Sequence, residues 1–105
     1  RKRLAAHSPD RLRVRADWLI SGFGKAVFVD GALPAKVKQI IAVAVAHVTQ
    51  CPYCIKGHTK AAQRAGATPQ ELMEAIWVAA EIRAGGAYAH SVLMLDTLNA
   101  EPGKR

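Results

Sequence analysis

The sequence predicts an all-α fold. Apolar residues recur three and four positions apart through most of the chain, as a helix with one buried face requires. No segment sustains the two-residue alternation of a half-buried strand. Start and stop signals fall between the periodic stretches, dividing them into about five helices.

Ser8-Pro9-Asp10 opens the first helix, with Ser as N-cap and Pro at the first helical position, where its missing N–H costs nothing. Leu12, Trp18, Leu19, Phe23 and Val27 form its apolar stripe, Gly22 and Gly24 weaken its middle, and Asp30-Gly31 closes it. Leu33-Pro34 opens the second helix, with Val37, Ile40, Ile41, Ala44, Val45 and Val48 at helical spacing up to Gln50. The third takes Pro52 into its first turn, carries Cys54, His58, Ala61, Ala62 and Ala65, and stops at Gly66. Thr68-Pro69-Gln70-Glu71 is a capping box that starts a fourth helix through Leu72, Ile76, Trp77, Ala80 and Ile82 towards Gly85-Gly86. That glycine pair reads as either a break or a point of close packing. A final helix is expected over about Ala87 to Leu98, before Pro102.

At 105 residues, half of them apolar, the chain is expected to be one domain with a real core. Five short helices leave one protomer with apolar surface to cover, so a homo-oligomer is expected. The longest strongly apolar stretch, Ile40 to Val48, is too short to span a membrane. Arg1-Lys2-Arg3 is followed by polar and basic residues rather than the apolar core of a signal peptide, so a cytoplasmic protein is the expectation. Net charge is +7, and six of the fifteen basic residues fall within the first fifteen positions. Such a cluster can meet phosphates, acidic proteins or anionic substrates. No aromatic interleaving or recognition-helix signature accompanies it, so nucleic-acid binding is not expected.

The chemistry is concentrated in Cys51-Pro52-Tyr53-Cys54-Ile55-Lys56-Gly57-His58, which holds both cysteines of the chain. On a helix, positions 51, 54 and 58 share one face, bringing two thiols and an imidazole together. A helix beginning there sets its first unpaired amides beside the thiols and favours a thiolate. Structural zinc would need a fourth ligand, and His7, His47 and His90 show no complementary spacing. A structural disulfide across so short a loop would constrain the unfolded chain little. No metal or cofactor is therefore expected, and thiol chemistry is the leading reading. Two inert core cysteines are the bland alternative.

Several segments resemble the carboxymuconolactone decarboxylase family: Gly31-Ala32-Leu33-Pro34-Ala35-Lys36, Ala42-Val43-Ala44-Val45-Ala46, the CxxCxxxH itself, Gly66-Ala67-Thr68 and Glu74-Ala75-Ile76. The likeness is to its alkylhydroperoxidase D-like, single-repeat branch, from about Phe23 to Leu98. It implies a helical protomer in a trimer or hexamer, the hexamer being preferred. It also implies a thiol site that reduces hydroperoxides or exchanges disulfides with a redox partner. By the same resemblance, Cys54 is the peroxidatic thiol, Cys51 the resolving thiol, their disulfide redox-active, and His58 the motif histidine that moves protons. An external thiol donor would reset the pair.

One position departs from the family pattern, which has a relay glutamate twelve residues before the first cysteine, where this chain has Gln39. An amide donates and accepts hydrogen bonds but carries no proton at neutral pH. Gln39 can still orient His58 or a water, and Glu81 is a substitute carboxylate if the fourth helix passes close. Tyr88 and His90 are weaker candidates, with His90 read first as a hydrogen-bonded core histidine. His47 reads as packing or interface. Glu81 and Arg83, two apart, do not face each other and, if buried, read as salt links to other helices or subunits. A lactone decarboxylase, which would leave the thiol pair unused, and a non-enzymatic oligomer docking through its basic N-terminus are the competing functions.

Overall fold

The computed structural model describes residues 9–100. Within them are four α-helices and no strand: α1 (Pro9–Val27), α2 (Ala35–Thr49), α3 (Pro52–Arg64) and α4 (Pro69–Asn99). The chain divides into two compact units, Arg1–Ala35 and Lys36–Arg105.

The first unit contains α1, which begins with Pro9 at a position that needs no N–H. Ser8 and the side chain of Leu12 lie outside the described residues. Beyond α1, the Asp30 carboxylate accepts the Ala35 N–H at 2.7 Å and closes the connecting turn. Trp18, Leu19 and Phe23 of the expected stripe are exposed.

In the second unit, a small core joins α2, α3 and α4. Val43, Ala62 and Ala67 are buried, with Ile40, Leu72 and Ile76 packed against them. Ala62 is 0 % and Val43 1 % exposed, so α2 and α3 meet at a small residue facing a β-branched one. Close approach of this kind leaves no room for a longer side chain.

Local signals set the helix ends. Gly66 has φ 98°, in the left-handed region. The Gly66 N–H bonds the Gln63 carbonyl at 3.0 Å and the Ala67 N–H the Ala62 carbonyl at 2.9 Å, a Schellman stop. The Thr68 hydroxyl accepts the Glu71 N–H at 3.1 Å, and the Glu71 carboxylate accepts the Thr68 N–H at 2.9 Å. Lys36 reaches the same carboxylate at 3.1 Å and ties the start of α2 to the start of α4. The Thr68 N–H first, and Lys36 after it, hold the Glu71 carboxyl below its ordinary range.

Four helices stand where about five were expected, because α4 runs unbroken through Gly85-Gly86 for 31 residues. Glycine is a poor helix former by roughly 1 kcal/mol each, but it keeps its N–H and does not clash, so flanking alanines carry the helix across. A Cβ at Gly86 would meet nothing within 4 Å and one at Gly85 only the Glu81 carboxylate at 4.0 Å, so neither is a close-packing point within the chain. The long helix is apolar on more than one side. Trp77, Val78, Ile82, Val92, Leu93 and Leu98 are all exposed.

Candidate functional site

The turn between α2 and α3 builds the site. Gln50 takes a positive φ of 57°, and the Cys51 N–H turns back to the Ala46 carbonyl at 3.1 Å. A non-glycine residue in this region costs of order 1 kcal/mol or more, and nothing in the sequence marks the position. Arg83, from the middle of α4, donates to the Val48 carbonyl at 2.8 Å and satisfies a backbone acceptor in the last turn of α2. It is exposed, so the condition under which a salt link was expected of it is not met.

Cys51 emerges from this turn as the N-cap of α3, with extended backbone (φ −96°, ψ 103°). Its sulfur accepts the Cys54 N–H at 3.2 Å, and its carbonyl accepts the Ile55 N–H at 2.9 Å. Both cysteines are free thiols, Cys51 half-buried and Cys54 exposed. The hydrogen bond from the Cys54 side chain first, then the N–H groups of Cys54 and Tyr53, hold the Cys51 thiol below its ordinary value; partial desolvation opposes them. The Cys54 thiol is pushed up, chiefly by its hydrogen bond to Cys51, then by desolvation and the negative charge of its partner. The two thiols titrate as a pair, and the first proton lost belongs to both.

His58 lies one turn beyond Cys54, half-buried, and its Nδ1 is 2.8 Å from Oε1 of Gln39 on α2. An amide oxygen only accepts, so Nδ1 carries the hydrogen and Nε2 is the ring's basic nitrogen. The contact joins the Gln39 amide on α2 to the imidazole on α3. This contact depends on the core beneath it. Gln39 and Val43 are one turn apart on α2, His58 and Ala62 one turn apart on α3, and Val43 and Ala62 belong to one buried cluster.

The remaining candidates lie elsewhere on their helices. Glu81 is exposed, with its carboxylate lying along α4 beside Gly85. His90 is exposed and donates from Nδ1 to the Gly86 carbonyl of its own helix at 2.7 Å, not buried in a core. Tyr88 is exposed as well. His47 is half-buried and donates to the Val43 carbonyl at 2.7 Å, again within its helix. Among the described residues no three His, Cys, Asp or Glu side chains converge as a metal site, and no helix is long and apolar enough to cross a membrane.

An uncharacterized protein of the cox locus of Paracoccus denitrificans is 63% identical over 79 residues, covering 75% of this chain and 71% of that protein. An uncharacterized protein of Cupriavidus necator is 44% identical over 82 residues, covering 75% of this chain and 73% of its own length. No solved structure matches. The family model for carboxymuconolactone decarboxylases matches residues 15–97, which span α2, α3, the thiol pair and nearly all of α4. With most of its length inside that match, the chain belongs to the carboxymuconolactone decarboxylase family.

Proposed function

We propose that this chain is a thiol-dependent oxidoreductase that reduces hydroperoxides by cycling Cys51 and Cys54 between dithiol and disulfide. The observation that carries the reading is the hydrogen-bonded thiol pair at the start of α3, one sulfur capping the helix and the other open to solvent. A thiolate attacks the peroxide O–O bond, the alcohol or water leaves, and the second thiol condenses with the sulfenic acid to give a disulfide. An external dithiol then reduces that disulfide by exchange. His58, oriented by Gln39, handles protons beside the pair. The reducing cytoplasm is the compartment in which such a pair turns over.

The reduced protein should consume cumene hydroperoxide with dithiothreitol as donor. Both Cys51→Ser and Cys54→Ser should stop turnover, because neither variant can close the disulfide. Consumption no faster than with dithiothreitol alone, or consumption that survives loss of both thiols, would overturn the reading. Thiol-independent turnover of a muconolactone would favour the decarboxylase alternative instead.

We further propose that protomers of this enzyme bury their apolar helix faces against one another. Trp77 is 66% exposed and shares α4 with Val78, Ile82, Val92, Leu93 and Leu98, more apolar surface than a lone small protein carries comfortably in water. A helix that is apolar on several sides is one that becomes covered. Light scattering at micromolar concentration should report at least three protomers, with six the first expectation. A strictly monomeric species would contradict this assembly.

A further inference from the structure

We propose that the exposed side of α3 next to the thiol pair is the docking surface for the protein that reduces it, and that this donor carries an acidic rim around its own dithiol. The inference rests on the thiol reading above and names the kind of donor the site accepts.

Lys56, Lys60 and Arg64 follow one another at four-residue intervals, so they line up along one side of α3. Tyr53, three positions before Lys56, heads the same row and is 86% exposed. All three cations are exposed, and α3 has no acidic residue to balance them. Among the described residues none of the three takes part in an ion pair. Lys36 and Arg83, by contrast, are engaged with the fold, one through the Glu71 carboxylate and the other through the Val48 carbonyl. The row on α3 therefore contributes its charge to the surface and not to the fold.

Its place beside the thiols gives it a use. Cys54 directly follows Tyr53 and is itself exposed. Gly57 lies one turn beyond Cys54 and between Tyr53 and Lys60, and a Cβ there would meet nothing within 4 Å. The helix surface is thus low where a partner's sulfur has to come in. An exposed tyrosine is a common anchor of protein interfaces, and cations around it select a partner of opposite sign. From Lys56 to Arg64 the row runs about 12 Å along the helix, more than one small anion can meet. A nucleic acid would also meet three cations, but it brings no dithiol to the pair. The donor must arrive, exchange and leave in every cycle. Rim charges suit that demand, because they raise the rate of encounter more than the lifetime of the complex.

In the docked complex a thiolate of the donor attacks one sulfur of the Cys51–Cys54 disulfide. A mixed disulfide forms, and the other cysteine is released as a thiolate. The donor's second thiolate then attacks the donor sulfur of the mixed disulfide, frees the remaining cysteine, and closes the donor's own disulfide. Two electrons pass from donor to pair, and the two freed cysteines take up the two protons that the donor thiols gave up.

Synthetic dithiol peptides test the surface. Each has a Cys-Gly-Pro-Cys core, flanked by glutamates in one peptide, by glutamines in a second and by lysines in a third. The protein is oxidised beforehand with diamide, and each rate is taken relative to the same peptide's reduction of hydroxyethyl disulfide. At low salt the glutamate peptide should reduce the wild-type protein about tenfold faster than the glutamine peptide, a gain typical of electrostatic steering. In about 1 M salt, where screening acts within about 3 Å, the ratio should fall towards one. Combined Lys56→Gln, Lys60→Gln and Arg64→Gln should abolish the advantage, and the three glutamate replacements should turn the preference to the lysine peptide. Combined Arg13→Gln, Arg15→Gln and Lys25→Gln removes the same charge from exposed positions on α1 and should preserve the ratio within about twofold. Because the ratio compares two peptides on one protein, a general loss of stability does not move it. Equal wild-type rates with the glutamate and glutamine peptides would overturn the proposal. So would equal loss of the ratio in both glutamine variants, which would assign the effect to the net charge of +7. A DNA oligonucleotide bound through the α3 cations more tightly than the glutamate peptide would overturn it as well. Should cumene hydroperoxide turnover fail while the glutamate peptide keeps its advantage, the peroxidase reading falls alone; turnover without that advantage removes only the docking surface.

Discussion

Replacing Gln39 by glutamate should raise peroxide turnover by about tenfold or more, a fraction of the 10²–10⁴ that general acid–base assistance commonly supplies. The side chain at position 39 already accepts the Nδ1 hydrogen of His58 at 2.8 Å, so Gln39→Glu changes the charge of an existing contact and needs no new one. A carboxylate on Nδ1–H makes the imidazole a stronger base at Nε2 and can itself take up a proton, which an amide cannot. The gain should be full at neutral pH and fade as the pH falls through the pKa of the introduced carboxyl, because the protonated acid again resembles the amide. Gln39 is half-buried, and the His58 hydrogen bond compensates part of the cost of placing a charge there. If Gln39→Glu folds normally and its rate matches the parent at every pH, position 39 orients His58 and moves no protons.

The helix boundaries were the most legible part of this chain, because each rests on chemistry local to a few residues. Thr68 with Glu71, Pro52 after Cys51, and Gly66 all do in three dimensions what their residue types permit. The Gly85-Gly86 pair misled for the converse reason. Its local cost is real, and α4 carries it with good helix formers on both sides. Gln50 was illegible, since glycine or asparagine is what usually signals a left-handed turn.

The site was half legible. The CxxC spacing marked the start of α3 and the Cys51–Cys54 contact, and the departure at Gln39 was visible as a residue type. The hydrogen bond from the Cys54 N–H to the Cys51 sulfur depends on the geometry of one helix end, which residue spacing does not specify. The Arg83 bond to the Val48 carbonyl spans 35 positions and belongs to tertiary structure. Composition announced surplus apolar surface, but the side of α4 that carries it follows from how little of that helix the second unit's core uses.

Ala62→Leu should destabilise the protein by about 1–3 kcal/mol and lower turnover at the same time. Ala62 is fully buried against the cluster containing Val43, where three further heavy atoms have no space to enter. Relief would come from α3 moving away from α2. The Gln39–His58 hydrogen bond spans those two helices one turn from the wedge and would lengthen with them. Denaturant unfolding should therefore show a lower midpoint with an unchanged slope. The rate should fall even under conditions where the variant remains folded, since His58 loses its orientation. The Cys51–Cys54 contact should persist, because it lies within α3 itself. Ala62→Gly separates packing from position: it costs roughly 1 kcal/mol through helix propensity but inserts nothing between the helices, so its folded form should retain nearly the parental rate. Equal loss of rate in the two folded variants would show that wedging α2 from α3 is not what disables His58.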